Sequence, residues 1–332
     1  MNSDCVVGID IGGTKIAAGL VDREGNVTTT SRTPMVATGS ATEGLTAVES
    51  AIQSVLNRTD SNQVVRGIGI CSPGPLDPNT GVIINPPNLP CWRNFPLAES
   101  IRNLYRVPVQ VENDANAAAL AEVKWGAARG YRNVFYLCIG TGIGTGIVSD
   151  GEIYHGRTGA AGEGGHMGID ANGPRCSCGK RGCIEVLASG PAIARRAREK
   201  LAEGSSARLL EFAAGNLDSL TSHMVGKAAA EGDPVAQSVI SETLDALAYW
   251  LGNIIDLLEP DVIVMGGGVS STLAPYLSDL RRRWEGACVN PWPDQIPLVL
   301  ARYGEDAGVA GAAALLDDTP VSTDSLPAAK AV

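Results

Sequence analysis

The sequence predicts an α/β protein of two lobes, and three observations lead there. At 332 residues the chain is long for one hydrophobic core and sufficient for two domains of ordinary size. Short β-branched runs alternate with longer stretches whose apolar residues recur at helical spacing. One local design also occurs twice: an apolar run, a glycine-rich turn and a second apolar run, at residues 6–21 and again at 134–148. Two such copies imply two related lobes, each able to aim backbone N–H groups at the phosphates of one nucleotide.

In chain order, residues 5–11 are apolar and β-branched and end in Asp10-Ile-Gly-Gly-Thr-Lys15. Residues 16–21 resume the run before a turn at 22–26, so the pair reads as a hairpin. Gly12 and Gly13 let amides approach an anion with no Cβ in the way, and Thr14 and Lys15 add a hydroxyl and a charge. A plain hairpin turn fits the same six residues. It is no Walker A loop, because Gly-x-x-x-x-Gly-Lys-Ser/Thr does not occur there.

Leu45, Val48, Ile52 and Leu56 recur three and four residues apart, which predicts a helix over 42–56. Residues 64–71 are the next strand and run into a proline-stiffened turn at 72–77, placed as ligand-facing strand ends are. A proline-rich loop at 85–96 carries Asn88 and Trp92. These could offer an amide and a flat indole to a sugar, or simply pack a surface loop.

Residues 107–111 form a strand, and Glu112-Asn-Asp-Ala-Asn116 leads from it into an alanine-rich helix. Asp114 there can cap the helix, serve as a general base, or both. Residues 134–139 are a strand ending in a glycine-rich turn at 140–146, which repeats the opening hairpin. Further on, 187–201 and 234–258 have helical spacing and 261–265 are a buried strand. Gly266, Gly267 and Gly268 then leave space for a flat nucleotide ring against the backbone. A last helix opens at 304–311, and residues 318–332, rich in Pro, Ser, Thr and Ala, are expected to be a disordered tail.

The densest chemistry lies at residues 163–185. Cys176, Cys178 and Cys183 fall within eight residues, and His166 stands ten positions before the first of them. Three thiolates and an imidazole suit four-coordinate zinc. Glu163 and Glu185 flank the cluster, so a metal-locked loop would gather carboxylates and an imidazole as a polyhydroxylated ligand requires. The other five cysteines read as the reduced thiols of a cytosolic protein. A net charge of −10 with no basic run argues against nucleic acid as a partner. No basic stretch precedes a long apolar one, so neither a secretory signal nor a membrane span is expected.

Together these motifs resemble the ROK family of bacterial sugar kinases and sugar-responsive repressors, over roughly residues 5–316. The matching pieces are Asp10-Ile-Gly-Gly-Thr-Lys15, Glu112-Asn-Asp-Ala-Asn116, Gly140-Thr-Gly-Ile-Gly144, Glu163-Gly-Gly-His166, the loop from Cys176 to Glu185, and Gly266-Gly-Gly268. The resemblance implies an actin-like ATPase (ribonuclease H-like) fold of two α/β lobes with a cleft between them. Residues 1–116 and a returning C-terminal helix at about 304–317 would form the smaller lobe, and 117–303 the larger. It further implies ATP and Mg2+ in the cleft, structural Zn2+, and phosphorylation of a hexose at its 6-hydroxyl, with a bacterial glucokinase as the best match.

Residue by residue, Asp114 matches the family's catalytic base. Asn88, Asn113, Asp114, Glu163, His166 and Glu185 match its sugar ligands. Asp10, Gly12, Gly13, Thr14, Lys15, Thr141, Gly142, Gly266, Gly267 and Gly268 match its nucleotide and magnesium contacts, and His166, Cys176, Cys178 and Cys183 its zinc ligands. The Asn88-Leu-Pro-Cys-Trp92 loop is similar to that of family glucokinases, except that Cys91 stands where a glycine is frequent. The form of residues 173–179 is shared with the N-acetylmannosamine kinase domain. N-acetylmannosamine, N-acetylglucosamine and fructose are therefore the alternative substrates. A repressor would need a DNA-binding domain of several tens of residues ahead of a first strand that begins near residue 5. Expected partners are the hexose, ATP and further copies of the chain in the cytoplasm, without nucleic acid or membrane.

Overall fold

The computed structural model describes residues 3–59, 63–203 and 206–317. These divide into two units: the first holds residues up to 136, 146–162 and from 301 onward, and the second holds 137–145 and 163–300. No helix among the described residues is long and apolar enough to cross a membrane.

The first unit begins with the expected hairpin, β1 (Ser3–Ile11) and β2 (Lys15–Asp22), paired antiparallel from Cys5↔Asp22 to Ile11↔Ile16. A further strand, β3 (Val27–Pro34), extends it. Sequence reading stops short of β3 because its Thr- and Ser-rich stretch has no apolar run; one face is exposed and the other only half-buried. Helix α1 (Ala41–Leu56) starts on a capping box: Ser40 Oγ accepts from Glu43 N at 3.3 Å, and Glu43 Oε2 accepts from Ser40 N at 2.7 Å. Such a cap contributes about 1 kcal/mol. Val48, Ala51, Ile52 and Val55 bury its inner face.

β4 (Gln63–Ser72) pairs in parallel with β1. The short strands β5 (Leu76–Asp77), β6 (Val82–Ile83) and β7 (Phe95–Pro96) form a small antiparallel sheet, followed by α2 (Leu97–Tyr105). β8 (Val109–Asn113) then pairs in parallel with β4, giving the order β3-β2-β1-β4-β8, and leads directly into α3 (Asp114–Lys124).

The chain next runs through β9 (Val134–Ile139), β10 (Ile143–Ser149) and β11 (Glu152–Ile153), strands of a second sheet with the order β11-β10-β9-β12-β13. In the second unit α4 (Ile184–Ala188) and α5 (Gly190–Glu203) replace the single helix expected at 187–201, because Ser189 between them is extended. α6 (Ala207–Ala213) and α7 (Ser222–Ala230) precede α8 (Pro234–Leu258), which starts where helix chemistry directs: Asp233 caps it and proline takes the first turn. β12 (Val262–Gly266) is buried throughout, α9 (Ser270–Leu273) and α10 (Leu277–Glu285) follow, and β13 (Leu298–Leu300) pairs with β12 in parallel.

The last helix, α11 (Ala307–Ala314), returns to the first unit and packs its glycine and alanine residues against β1, β4 and α3. The approach is close enough that a Cβ on Gly69 would stand 1.8 Å from Ala312 O. α11 also packs against α3, which clusters with the first unit, whereas the resemblance implies a lobe boundary between residues 116 and 117. The tail expected at 318–332 lies outside the described residues.

Candidate active site

In the first unit the parallel strands β1, β4 and β8 end side by side. Their register sets Asp10 beside Cys71, Cys71 beside Glu112, and Ser72 beside Asn113. Carboxyl ends of parallel strands are where α/β sheets bind ligands. Asp10 accepts from the Cys71 thiol at 3.5 Å, and the same sulfur lies 3.3 Å from Gly308 O on α11. Burial pushes the Asp10 carboxyl above the ordinary value, opposed by the Cys71 bond and the charge of Lys15. A bound cation would reverse that penalty, so Asp10 suits a hard divalent ion. α11 comes so near that a Cβ on Gly308 would stand 2.4 Å from Asp10 Cγ. Beyond Asp10 the hairpin closes by a bond from Gly12 N to Lys15 O at 2.9 Å, leaving the Thr14 and Lys15 side chains exposed.

At the end of β8 the two candidate residues divide their duties. Asn113 is the cap of α3: its Oδ1 accepts from Ala115 N at 2.9 Å and Asn116 N at 3.3 Å, and its NH2 group points away from that task. Asp114 is the first helical residue and is exposed, with Oδ1 accepting from Ala115 N at 2.8 Å. The helix N-terminus steadies its negative charge without enclosing it.

Asn88 is exposed, and its backbone lies against Gly13, where an added Cβ would meet Asn88 O at 3.0 Å. Of the two roles its loop allowed, Trp92 takes the packed one. It is 1% exposed, stacks on Phe95 with ring centroids 5.2 Å apart and donates from Nε1 to Ala41 O, so it offers no face to a sugar.

The second unit holds the other candidates. At the β9–β10 turn Gly140 N donates to Gly142 O at 2.9 Å, and Thr141 is exposed. The Glu163-Gly-Gly-His166 segment forms a tight helical turn, with Glu163 exposed at its start. It is tied to β10 by a bond from Gly164 N to the buried Thr145 Oγ1 at 2.8 Å. Sequence reading passes over Thr145; its only local mark is a hydroxyl on the inward face of a strand. Glu185 accepts from Ile143 N through Oε2 at 3.0 Å.

His166, Cys176, Cys178 and Cys183 present ligand atoms that all lie within 4.8 Å of one another. Cys178 and Cys183 sulfurs are 3.7 Å apart, and Cys176 Sγ is 3.6 Å from His166 Nδ1. Tetrahedral zinc at ordinary bond lengths needs about 3.8 Å between sulfurs and about 3.6 Å from sulfur to nitrogen, so these two spacings match that ion. Burial and the neighbouring Cys178 and Cys176 thiols push Cys183 up to about 12, a cost that a coordinated cation removes by holding the thiolate.

The three glycines after β12 serve different ends. Gly266 closes the strand, and Gly267, at φ 85°, is required by the fold because a Cβ there would stand 2.4 Å from Ile139 O. Gly268 faces open space, with no atom within 4 Å of an added Cβ, and is the one able to admit a ring.

The ROK family pattern matches residues 6–319. A glucokinase from Thermotoga maritima is 32% identical over 314 residues, covering 94% of this chain and 97% of that protein. An N-acetylmannosamine kinase from Salmonella arizonae is 33% identical over 309 residues, covering 92% and 96%. Among solved structures, a ROK family glucokinase from Streptomyces griseus in complex with glucose and AMPPNP superposes with a TM-score of 0.80 at 33% identity, covering 94% of this chain and 98% of that one.

Proposed function

The chain belongs to the ROK family, and from that premise we propose that it transfers the γ-phosphoryl group of ATP to the 6-hydroxyl of a hexose, glucose foremost, giving the sugar 6-phosphate and ADP. The observation that carries the mechanism is the split of duties after β8: with Asn113 capping α3, Asp114 stands exposed at the helix start. Asp114 Oδ takes the proton of the 6-hydroxyl as that oxygen attacks the γ-phosphorus, and the bond to the ADP oxygen breaks. The chemistry asks little else of the protein than positioning.

Within the first unit, Asn88 and Asn113 are sugar ligands, Asn113 through its NH2 group, while Gly12, Gly13, Thr14 and Lys15 hold phosphate. Asp10 would hold Mg2+, which when bound offsets charge on the phosphates. Within the second unit, Glu163, His166 and Glu185 are sugar ligands, and Thr141, Gly142 and Gly266–Gly268 contact nucleotide. Glu185 Oε2 already accepts from Ile143 N, and Oε1 lies 4.0 Å from Cys176 Sγ, whose proton a bound cation would displace. Zinc on Cys176, Cys178, Cys183 and His166 Nδ1 would lock the imidazole so that Nε2 faces the sugar. The enzyme acts in the cytoplasm.

A coupled ADP-release assay across glucose, mannose, fructose and the N-acetyl hexosamines tests the reading, with the highest kcat/KM expected for glucose. Asp114→Asn should lower kcat at least about a hundredfold and leave hexose affinity within several-fold, as removal of a base does. Near-normal turnover would reassign Asp114. An N-acetyl hexosamine kinase is the second reading, favoured by the Salmonella relative; a higher kcat/KM for N-acetylmannosamine would establish it in place of the first.

A further inference from the structure

The strand that delivers Asn113 and Asp114 has an anchor with no part in the chemistry above. Glu112 is 3% exposed, and a carboxylate so buried must be fully partnered. Its Oε1 accepts from Asn113 N at 2.8 Å and from Asn116 Nδ2 at 3.1 Å. Its Oε2 lies 2.6 Å from His155 Nε2. Two N–H donors on Oε1 mark the group as an acceptor, so His155 donates through Nε2–H. Successive strand residues face opposite ways, which sends Glu112 to the side away from Asn113.

His155 comes from the segment after β11, 43 residues along the chain. That segment is fixed by bonds from Tyr154 N to Ile147 O at 2.8 Å and from Ala161 N to His155 O at 3.2 Å. With Lys124, Arg132 and Glu112 the imidazole lines a cavity of about 670 Å³ in the first unit, and its side chain is 37% exposed. Half of this anchor is therefore open to solvent. The groups that Glu112 grips, Asn113 N and the Asn116 side chain, bracket Asp114 in the chain.

We infer that His155 is a positioning residue for phosphoryl transfer, acting through Glu112 to hold the Asn113–Asp114 turn in its reactive geometry. The inference rests on Asp114 being the base. A lost bond at Glu112 Oε2 frees that carboxylate to swing toward the cavity, taking with it the bonds to Asn113 N and Asn116.

The experiment compares His155→Leu, His155→Gln and Glu112→Gln in the full chain, each as the variant alone and combined with Asp114→Asn. Turnover is scaled to correctly folded protein measured by circular dichroism. His155→Leu should lower kcat by roughly 10- to 100-fold, the cost of a misplaced catalytic group, while the KM for ATP stays within about twofold. The His155→Gln amide can still donate to Glu112 and should recover most of the loss. On an Asp114→Asn background the His155→Leu effect should vanish, because two residues that act through one step are not additive. Glu112→Gln, which keeps one acceptor, gives the same pattern should His155→Leu fold poorly. Unchanged kcat per folded molecule in His155→Leu, equal losses in Leu and Gln, or a full loss on the Asp114→Asn background would each overturn the inference. If wild type transfers phosphoryl and Asp114→Asn does so at least about a hundredfold more slowly, these results bear on His155 alone. If Asp114→Asn turns over normally, the base assignment fails and the inference falls with it.

Discussion

The turn between β1 and β2 and the turn between β9 and β10 close alike, Gly12 N donating to Lys15 O and Gly140 N to Gly142 O, each at 2.9 Å. They differ in where the nearest acid comes from. The first carries its own: Asp10, on the strand just before the turn, held by Cys71 from β4 and pressed by Gly308 of α11. The second has none, and takes one from 42 residues further on, where Glu185 Oε2 accepts from Ile143 N. A Cβ on Gly142 would stand 2.4 Å from that oxygen. One backbone device, proposed to offer amides to phosphate, thus has two different settings. In the first unit it sits beside the Asp10 carboxylate, whose charge burial disfavours and which is proposed to hold a cation. In the second it braces Glu185, which is also a proposed sugar ligand, so on that reading anion and sugar recognition share a side chain.

Four substitutions would break or sharpen this contrast. Asp10→Asn should have the largest effect, lowering kcat at least about a hundredfold with hexose affinity nearly unchanged, since only the first turn is proposed to hold the cation. Calorimetric hexose binding alongside turnover at several Mg2+ concentrations reads both, and a variant with normal kcat would remove the distinction between the turns.

Cys178→Ser comes next. It should lower bound zinc and weaken hexose binding about tenfold or more together, with nucleotide affinity changed much less, because Glu185 lies just past Cys183 in the same loop. Atomic absorption and calorimetry measure the three quantities; normal hexose binding without zinc would reduce the cluster to a remote staple.

Gly142→Ala should displace Glu185 and raise the hexose KM roughly tenfold, with kcat less affected, as loss of ground-state binding does. Steady-state kinetics on glucose decide it. An effect confined to the ATP KM would mean that Glu185 is only a brace. Cys71→Ala is expected to be mildest: a thiol is a weak donor, and Asp10 keeps Lys15, so the Mg2+ concentration for half-maximal rate should rise only about two- to threefold. A loss as large as that of Asp10→Asn would show that the thiol, rather than the ion, orients Asp10.

Much of the candidate site is legible in the sequence. The four candidate metal ligands are close in sequence, so their spacing alone marked them, and the structure adds that their ligand atoms lie within 4.8 Å of one another. The strand ends were legible too, because glycine, asparagine and aspartate after a β-branched run have few other uses. Trp92 was not: its loop composition suits exposure and burial equally, and only Phe95 and Ala41 decide for burial. Nor was the cap of α3, since Asn113 and Asp114 are both good capping residues and backbone geometry alone assigned the task to Asn113.

By itself the sequence determined whatever depends on neighbours within a turn or two: the helical face of α1, the start of α8 at Pro234, both glycine hairpins and the candidate metal ligands. Tertiary structure alone decided the pairings that close long loops. Those are the parallel register that sets Asp10 beside Cys71 and Ser72 beside Asn113, the docking of α11 that keeps α3 in the first unit, and the bonds from Glu185 to Ile143 and from His155 to Glu112. The reason is physical. A local preference is set by the few residues that share a turn, whereas a contact across tens of residues forms only when every intervening element has packed, and no single stretch of chain carries that information.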